Sequence, residues 1–305
     1  MAFEPMFGYI PPSELEGEAR EIYEQVYAEA LPFIIAAPML GDTGKGKTVL
    51  LYKAHEKFAP VSKIRQDIGD CVGHGYARAD DLLTCVEIAL KGESESWQGY
   101  SCSEWLYGTS RVLVGGGKIR GDGSVGTWAA KAISEYGTML RKKYPEVDLS
   151  EYSGSRAKEW GAKSGFPNHL VELGKQHLVR GTAIVRSYEE ARDMIANGYP
   201  VPVCSNQGFS DKRDEEGFSR PKGVWPHCML FSAVDDNSSR PGLLCDNRSW
   251  GDNWNSGPTR HGQPGGTFWV DAEVADKMLR QNDSYALSDK DGYKARVNDL
   301  DNRPW

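Results

Sequence analysis

A regular pattern of apolar positions begins at Cys71. Apolar or small side chains follow it at spacings of three and four residues, at Val72, Tyr76, Ala79, Leu83, Val86 and Leu90. Such spacing places side chains on one face of a helix. We therefore predict a helix that begins at or just before Cys71 and buries this face.

Two further helices and several strands follow from similar patterns. One amphipathic helix is predicted within residues 12–30, and another runs from Trp128 to a stop at Gly137, since glycine commonly ends a helix. Short runs rich in apolar and β-branched residues predict strands, at 182–186, 200–204, 227–236 and 266–270. Residues 206–224 are charged and rich in glycine, which predicts a surface loop.

Composition and charge limit the classes of binding partner and the cellular compartment that we expect for this protein. The 305 residues include 36 Lys+Arg and 43 Asp+Glu, with no basic run, which argues against nucleic acid or an anionic membrane as the main partner. No stretch of eighteen apolar residues and no signal pattern occurs. We predict a cytoplasmic protein, or one assembled in the cytoplasm into something larger. Most of the six cysteines lie in apolar runs and are expected to be reduced.

Cys71 is a candidate nucleophile. Unpaired N–H groups and the helix dipole favour a thiolate at the start of a helix. Gln66, five residues upstream, can donate its side-chain amide to a developing oxyanion. The alternative is a structural cysteine that opens a core helix, because free cysteine is among the most buried residue types.

A nucleophilic thiol needs a base, and His227 at the start of an apolar strand is the candidate. A strand end can hold an imidazole rigidly towards a thiol, although a histidine in an apolar strand is also commonly a satisfied core residue. His74 lies one helical turn after Cys71, too close along the helix to act as an in-line base. No metal site is indicated by the spacing of cysteines and histidines.

The motifs around these residues resemble the papain family of cysteine peptidases in order and type. Ala59-Pro60-Val61, Gln66, Gly69 and Cys71 match the region of the nucleophile. The first lobe is matched by Gly121-Asp122-Gly123-Ser124, the helix of Trp128, Tyr136-Gly137 and Tyr144-Pro145, and the second lobe by His227 and Ser249-Trp250-Gly251 with Trp254. The similarity covers residues 55–280.

This resemblance implies an α+β fold with two lobes and a cleft between them. We expect an N-terminal extension over residues 1–50, a helical lobe over 51–180 that carries Cys71, a β-rich lobe over 181–280 that carries His227, and a C-terminal tail over 281–305.

The resemblance also implies amide hydrolysis through an acyl-enzyme. Cys71 would attack, His227 would take and return the proton, and Asn247 would orient His227. Gln66 and the backbone N–H of Cys71 would hold the oxyanion, and Trp250 would shield the His227–Asn247 bond from water. The expected substrate cleft includes Gly69, Gly123, Ser124 and Trp250. No cofactor is implied.

The sequence departs from the family pattern at several positions. Val72 replaces the usual aromatic residue, and Ile68 and Asp122 stand where secreted members carry cysteines, which fits a reducing compartment. Counting back from Trp250 places Arg248 where the asparagine is expected, with Asn247 one residue early. A one-residue shift turns a strand side chain to the opposite face. Either a bulge brings Asn247 to His227, or Arg248 stands there and disfavours a protonated His227.

Other functions stay open at this point. The chain could be a papain-fold structural or interaction protein without activity, for example a virion component. Its substrate as an enzyme would be a peptide or protein, with a cell-wall peptide as one alternative. Gly41–Thr48 also matches the phosphate-binding pattern GxxxxGK[ST], although Pro32 and Pro38 interrupt the strand that should precede it.

Overall fold

The computed structural model describes residues 5–41, 43–91 and 96–290. The α-helices are α1 (Gly17–Ala28), α2 (Phe33–Ala36), α3 (Tyr52–Phe58), α4 (Cys71–Lys91), α5 (Ser103–Gly108), α6 (Gly126–Glu135), α7 (Gly154–Trp160), α8 (Val171–Gly174), α9 (Tyr188–Ala196) and α10 (Ala272–Leu279). The strands are β1 (Leu31–Pro32), β2 (Thr48–Leu50), β3 (Val179–Ile184), β4 (Val201–Arg213), β5 (Ser219–Asp235), β6 (Gly242–Asp246), β7 (Thr267–Asp271) and β8 (Tyr285–Lys290).

Helix α4 is the central element, and it confirms the helix predicted at Cys71. Its apolar face is buried in the largest core cluster, together with residues of β4, β5 and β8. Helices α3, α5 and α6 pack beside it, and Trp105 of α5 and Trp128 of α6 are fully buried. The packing around α4 therefore fixes the position of Cys71 at its first turn. Within the described ranges, no helix is both long and apolar enough to cross a membrane.

The second half is built on a five-stranded sheet in the order β2-β5-β6-β7, with β4 also paired to β5. Strand β5 is its axis, because it pairs antiparallel with β2, β4 and β6. The predicted loop over 206–224 is wrong: most of it belongs to the β4–β5 hairpin. Phe209 and Phe218 of that hairpin are buried, so its charged residues occupy the outer positions of paired strands.

A second sheet, in the order β1-β3-β8, pairs strands from the first and last parts of the described chain with β3. The segment predicted as an extension contributes β1 to this sheet and β2 to the larger one. The predicted tail contributes β8, which pairs antiparallel with β3. Residues 291–305, including Trp305, lie outside the described residues.

In its described residues, 41 and 43–48, the Gly41–Thr48 loop does not have the form of a phosphate-binding loop. It leads into strand β2, whereas a phosphate-binding loop of this pattern opens a helix. The backbone N–H of Gly46 donates to the Asp236 carboxylate at 2.7 Å, so an acidic side chain of the protein itself stands at the loop. Both features argue against the nucleotide-binding interpretation; Asp42 lies outside the described residues.

Close packing of α4 on α5 predicts the effect of Gly73→Ala. A β-carbon at residue 73 would lie 2.6 Å from the backbone oxygen of Ser103 and 3.0 Å from Cβ of Tyr107. Alanine gains about 1 kcal/mol of helix propensity over glycine, but overpacking against backbone costs about 1–3 kcal/mol. We expect a lower free energy of unfolding in urea; an unchanged or higher value would contradict this packing.

Candidate active site

Cys71 lies where α4 meets strand β5. Its side chain is fully buried, and its Sγ accepts a hydrogen bond from the backbone N–H of Cys228 at 3.4 Å. Cys228 directly follows His227 in β5, so the start of the helix and the histidine strand are in contact. Gly75 permits this approach, because a β-carbon there would lie 2.6 Å from Cys228 Sγ.

His227 is bonded to Asn247. The His227 Nε2 and Asn247 Oδ1 atoms lie 2.8 Å apart, and both side chains are buried. The Ser249 hydroxyl donates to the same Asn247 oxygen at 3.3 Å. Because that oxygen can only accept, His227 donates from Nε2, and in the neutral ring Nδ1 carries the lone pair. The Trp250 ring lies 4.6 Å from the His227 ring, centroid to centroid, which is consistent with the shielding role that the resemblance implies.

The structure places Asn247, rather than Arg248, against His227. Strand β6 ends at Asp246, and Asn247 precedes a single 3₁₀ turn over Arg248–Trp250. The extra residue is therefore accommodated by a turn after the strand. The predicted bulge is not what brings Asn247 to His227. A register shift does occur in the neighbouring strand β5, between Phe231 and Ala233. Arg248 turns back to the Asp246 carboxylate, with Nη2 and Oδ2 at 2.6 Å.

Residues 6–10, here called the cleft segment, lie across this site. The backbone N–H groups of Gly8 and Tyr9 donate to Pro226 O at 3.2 and 3.1 Å. On the other lobe, Ser124 N donates to Gly8 O, and Ile10 N donates to Ser124 O, each at 2.9 Å. The segment therefore bridges the residue before His227 and the glycine turn of the helical lobe.

The residues predicted to line the substrate cleft all contact this segment. Gln66 Nε2 donates to Met6 O at 3.3 Å, and Trp250 Nε1 donates to the same oxygen at 3.1 Å. A β-carbon added at Gly8 would overlap the carbonyl oxygen of Gly69, and one at Gly123 would lie 3.0 Å from Gly8 O. The Gln66 amide, predicted to donate to an oxyanion, thus donates to the Met6 carbonyl oxygen between the two lobes.

One predicted contact is not made. Among the described residues, His227 Nδ1 has no hydrogen-bond partner, so no hydrogen bond joins it to the Cys71 thiol. Catalytic hydrogen bonds are often long before substrate binds. His74, which sequence analysis set aside as a base, lies 3.4 Å from Asp70 Oδ2 and is buried.

The buried site disfavours charge on both groups. Burial raises the pKa of the Cys71 thiol well above its usual value, as do the neighbouring Cys228 and Asp70, while the N–H groups of Cys228 and Gly8 act in the opposite direction. Burial lowers the pKa of His227 to about 4, although the bond to Asn247 raises it. Under the cleft segment the thiol and the imidazole are therefore both neutral at physiological pH.

Two parts of this site are not evident from the sequence. The cleft segment shows only as the apolar residues Met6-Phe7 and Tyr9-Ile10 around Gly8, a pattern that does not indicate where it binds. The Asp246 partner of Arg248 is also not evident, although it stands two residues earlier. Within the described ranges, no group of three or more His, Cys, Asp or Glu residues is placed to hold a metal ion.

Comparison with known proteins identifies the fold. No protein-family model and no curated protein matches the chain. Among solved structures, it is similar to xylellain, a cysteine protease from Xylella fastidiosa, with a TM-score of 0.50 and 16% identity over 93% of this chain and 91% of that one. It also aligns with digestive procathepsin L 3 of Tenebrio molitor, with a TM-score of 0.45 and 16% identity over 79% and 69% of the two chains. The chain has the α+β fold of papain-like cysteine proteases, as the motifs predicted.

Proposed function

We propose that the protein is a thiol hydrolase that cleaves a peptide or amide bond. The observation that carries this proposal is the His227–Asn247 hydrogen bond of 2.8 Å, which leaves Nδ1 of a neutral imidazole as the acceptor, on the strand that contacts the Cys71 thiol. A base oriented by a third group, next to a nucleophile at the start of a helix, is the arrangement that activates a thiol. The fold shared with xylellain supports the same chemistry.

The proposed reaction uses these groups in turn. The Cys71 proton passes to His227 Nδ1 while sulfur bonds to the substrate carbonyl carbon, and the oxyanion accepts a hydrogen bond from Gln66 Nε2. The carbon–nitrogen bond breaks as His227 returns the proton to the leaving amine. Water then attacks the thioester carbon while His227 takes its proton; the carbon–sulfur bond breaks, the carboxylic acid leaves, and His227 returns the proton to the Cys71 sulfur. One oxyanion donor contributes about 3 kcal/mol of barrier reduction.

The cleft segment must leave before a substrate enters. It uses the Ser124 and Pro226 backbone groups and the Gln66 amide, which an extended peptide substrate would need. The protein in this state is therefore a latent hydrolase. The proposed substrate is a peptide or protein. The cytoplasmic location stays a prediction. The virion role has no support in the comparisons.

Substitution of Gly8 tests whether the site is active once uncovered. Gly8→Ala places a methyl group against the carbonyl of Gly69 and should displace the segment without altering Cys71, His227 or Asn247. We expect a thiol-directed epoxide to label Cys71 at least about tenfold faster in this variant, because buried neutral thiols are inert. Site mapping by mass spectrometry gives the rate for each cysteine.

The controls separate reactivity from general loosening. Ser13→Ala, an exposed change in the same N-terminal region, should leave labelling unchanged. In the Gly8→Ala background, His227→Ala should slow labelling of Cys71 and not of Cys85. Equal labelling of Cys71 and Cys85 in Gly8→Ala, with the unfolding midpoint retained, would favour a structural protein without activity.

The shifted pKa values predict that the alkylation rate of Cys71 rises with pH. With the segment in place, the pKa of His227 is lowered to about 4 and that of Cys71 is raised, so no thiolate–imidazolium pair forms near neutrality. Iodoacetamide should modify Cys71 appreciably only at alkaline pH. Uncovering by Gly8→Ala restores water to both groups, which lowers the thiol pKa and raises that of the imidazole.

We therefore expect the onset of alkylation to move to lower pH in Gly8→Ala. The measurement is the modification rate of the Cys71 peptide from mildly acidic to alkaline pH. Coincident profiles for the original protein and Gly8→Ala would argue against burial as the cause of the shifted pKa values.

A further inference from the structure

Asp246 joins three elements that surround the site. It is the last residue of β6 and stands beside Asn247. Its carboxylate accepts the backbone N–H of Arg248 at 2.9 Å and the Arg248 guanidinium at 2.6 Å. These two contacts close the turn that follows Asn247, in the manner of an aspartate that bonds the backbone two residues on.

The same carboxylate also reaches the helix of the nucleophile. Arg78 Nη2 lies 3.3 Å from Asp246 Oδ1, and Arg78 is seven residues after Cys71 on α4. Residues seven apart lie on the same helix face, two turns apart. Asp246 is therefore an ionic tie between the Cys71 helix and the Asn247 turn, which belong to different lobes.

Burial makes this tie strong and its loss costly. The Asp246 side chain is 2% exposed, and those of Arg248 and Arg78 are 16% and 13% exposed. Although burial raises the pKa of Asp246, the two guanidinium groups hold it well below its usual range. Without this carboxylate, two largely buried guanidinium groups would lose the acceptor that both contact and would keep only the weaker attraction of Asp81 for Arg78 and of Asp252 for Arg248, which is unfavourable.

Asn247 depends on the turn that Asp246 closes. Its backbone N–H donates to Gly266 O at 3.2 Å, and its carbonyl accepts from Trp250 N at 3.1 Å. Arg248, the extra residue of the motif, lies between Asn247 and Ser249, whose hydroxyl donates to Asn247 Oδ1. A released Arg248 would free this turn and bring an unpaired positive charge next to the asparagine.

We propose that Asp246 is a positioning residue, whose carboxylate binds Arg248 and Arg78 and so holds Asn247 in hydrogen-bond contact with His227. This inference rests on the proposed function for its consequence on rate, but not for its geometry. The arrangement assigns a role to the extra arginine: its charge is used to secure the turn instead of opposing the imidazole.

Asp246→Asn tests the proposal, with Asp235→Asn as the matched control. Asp235 ends β5 and lies opposite Gly242, at the far end of the same strand pair. Its carboxylate is likewise buried and bound by Arg260 and by His261 at 2.8 Å. Both substitutions remove a buried charge from an ion cluster of the sheet, but only Asp246 adjoins Asn247.

The first readout is the His227 ring itself, observed by ¹⁵N-edited NMR. We expect the Nε2-bound proton signal, slowed in exchange by its bond to Asn247, to be lost or shifted in Asp246→Asn and retained in Asp235→Asn. The second readout, in the Gly8→Ala background, is the rate of Cys71 labelling. It should fall about tenfold or more in Asp246→Asn, by analogy with the outer-shell groups that orient metal-ligating side chains.

Two further variants guard against simple misfolding. Asp246→Glu keeps the charge and should recover part of the NMR signal and the rate. Arg248→Gln leaves the Asp246–Arg78 contact in place and should weaken the signal less than Asp246→Asn does. An unchanged signal and rate in Asp246→Asn, or equal losses in Asp235→Asn, would overturn the proposal. Loss of the signal in Asp246→Asn with Cys71 no more reactive than Cys85 in Gly8→Ala would retain the positioning role and overturn the hydrolase.

Discussion

The contact between helix α4 and strand β5 is the constraint on which the candidate site depends. Cys71 and His227 are far apart in the chain, and they come close only because the start of α4 packs on β5, which holds His227 within the strand rather than at its predicted start. The Cys228 N–H bond to Cys71 Sγ and the absence of a side chain at Gly75 set this approach. Because most of α4 from Cys71 to Ile88 is buried, the packing of the helical lobe determines where its first residue lies.

Burial of the site accounts for its electrostatic state. A thiolate and an imidazolium attract each other, but each loses hydration when water is excluded, and here desolvation dominates for both. The cleft segment supplies peptide hydrogen bonds to both lobes while it removes water. In the proposed hydrolase, the same backbone groups would serve two purposes, to hold the segment in the latent state and to hold a substrate after its release.

The Asn247 turn shows how a departure from a family pattern can be accommodated. An extra residue in a regular strand would reverse the side-chain alternation, but strand β6 ends one residue before Asn247. After that point the chain follows a turn, and the alternation no longer applies. The positive charge of Arg248 is neutralised by Asp246, so the repulsion of His227 that the sequence suggested does not arise.

The sequence by itself determined the local features of this protein. The helix at Cys71, the strand at His227 and the order of the motifs follow from periodicity and residue type within short windows, and they indicated the α+β papain-like fold. The choice between Asn247 and Arg248 was decided only by the tertiary structure, since it depends on where a strand ends and which carboxylate an arginine meets.

The cleft segment, the β4–β5 hairpin and the pairing of β8 with β3 were also beyond local patterns. Each depends on hydrogen bonds between residues distant in the chain, and a polar or short apolar stretch does not indicate its partner. Local sequence sets which conformation a segment prefers, whereas burial and long-range pairing decide which surface it covers.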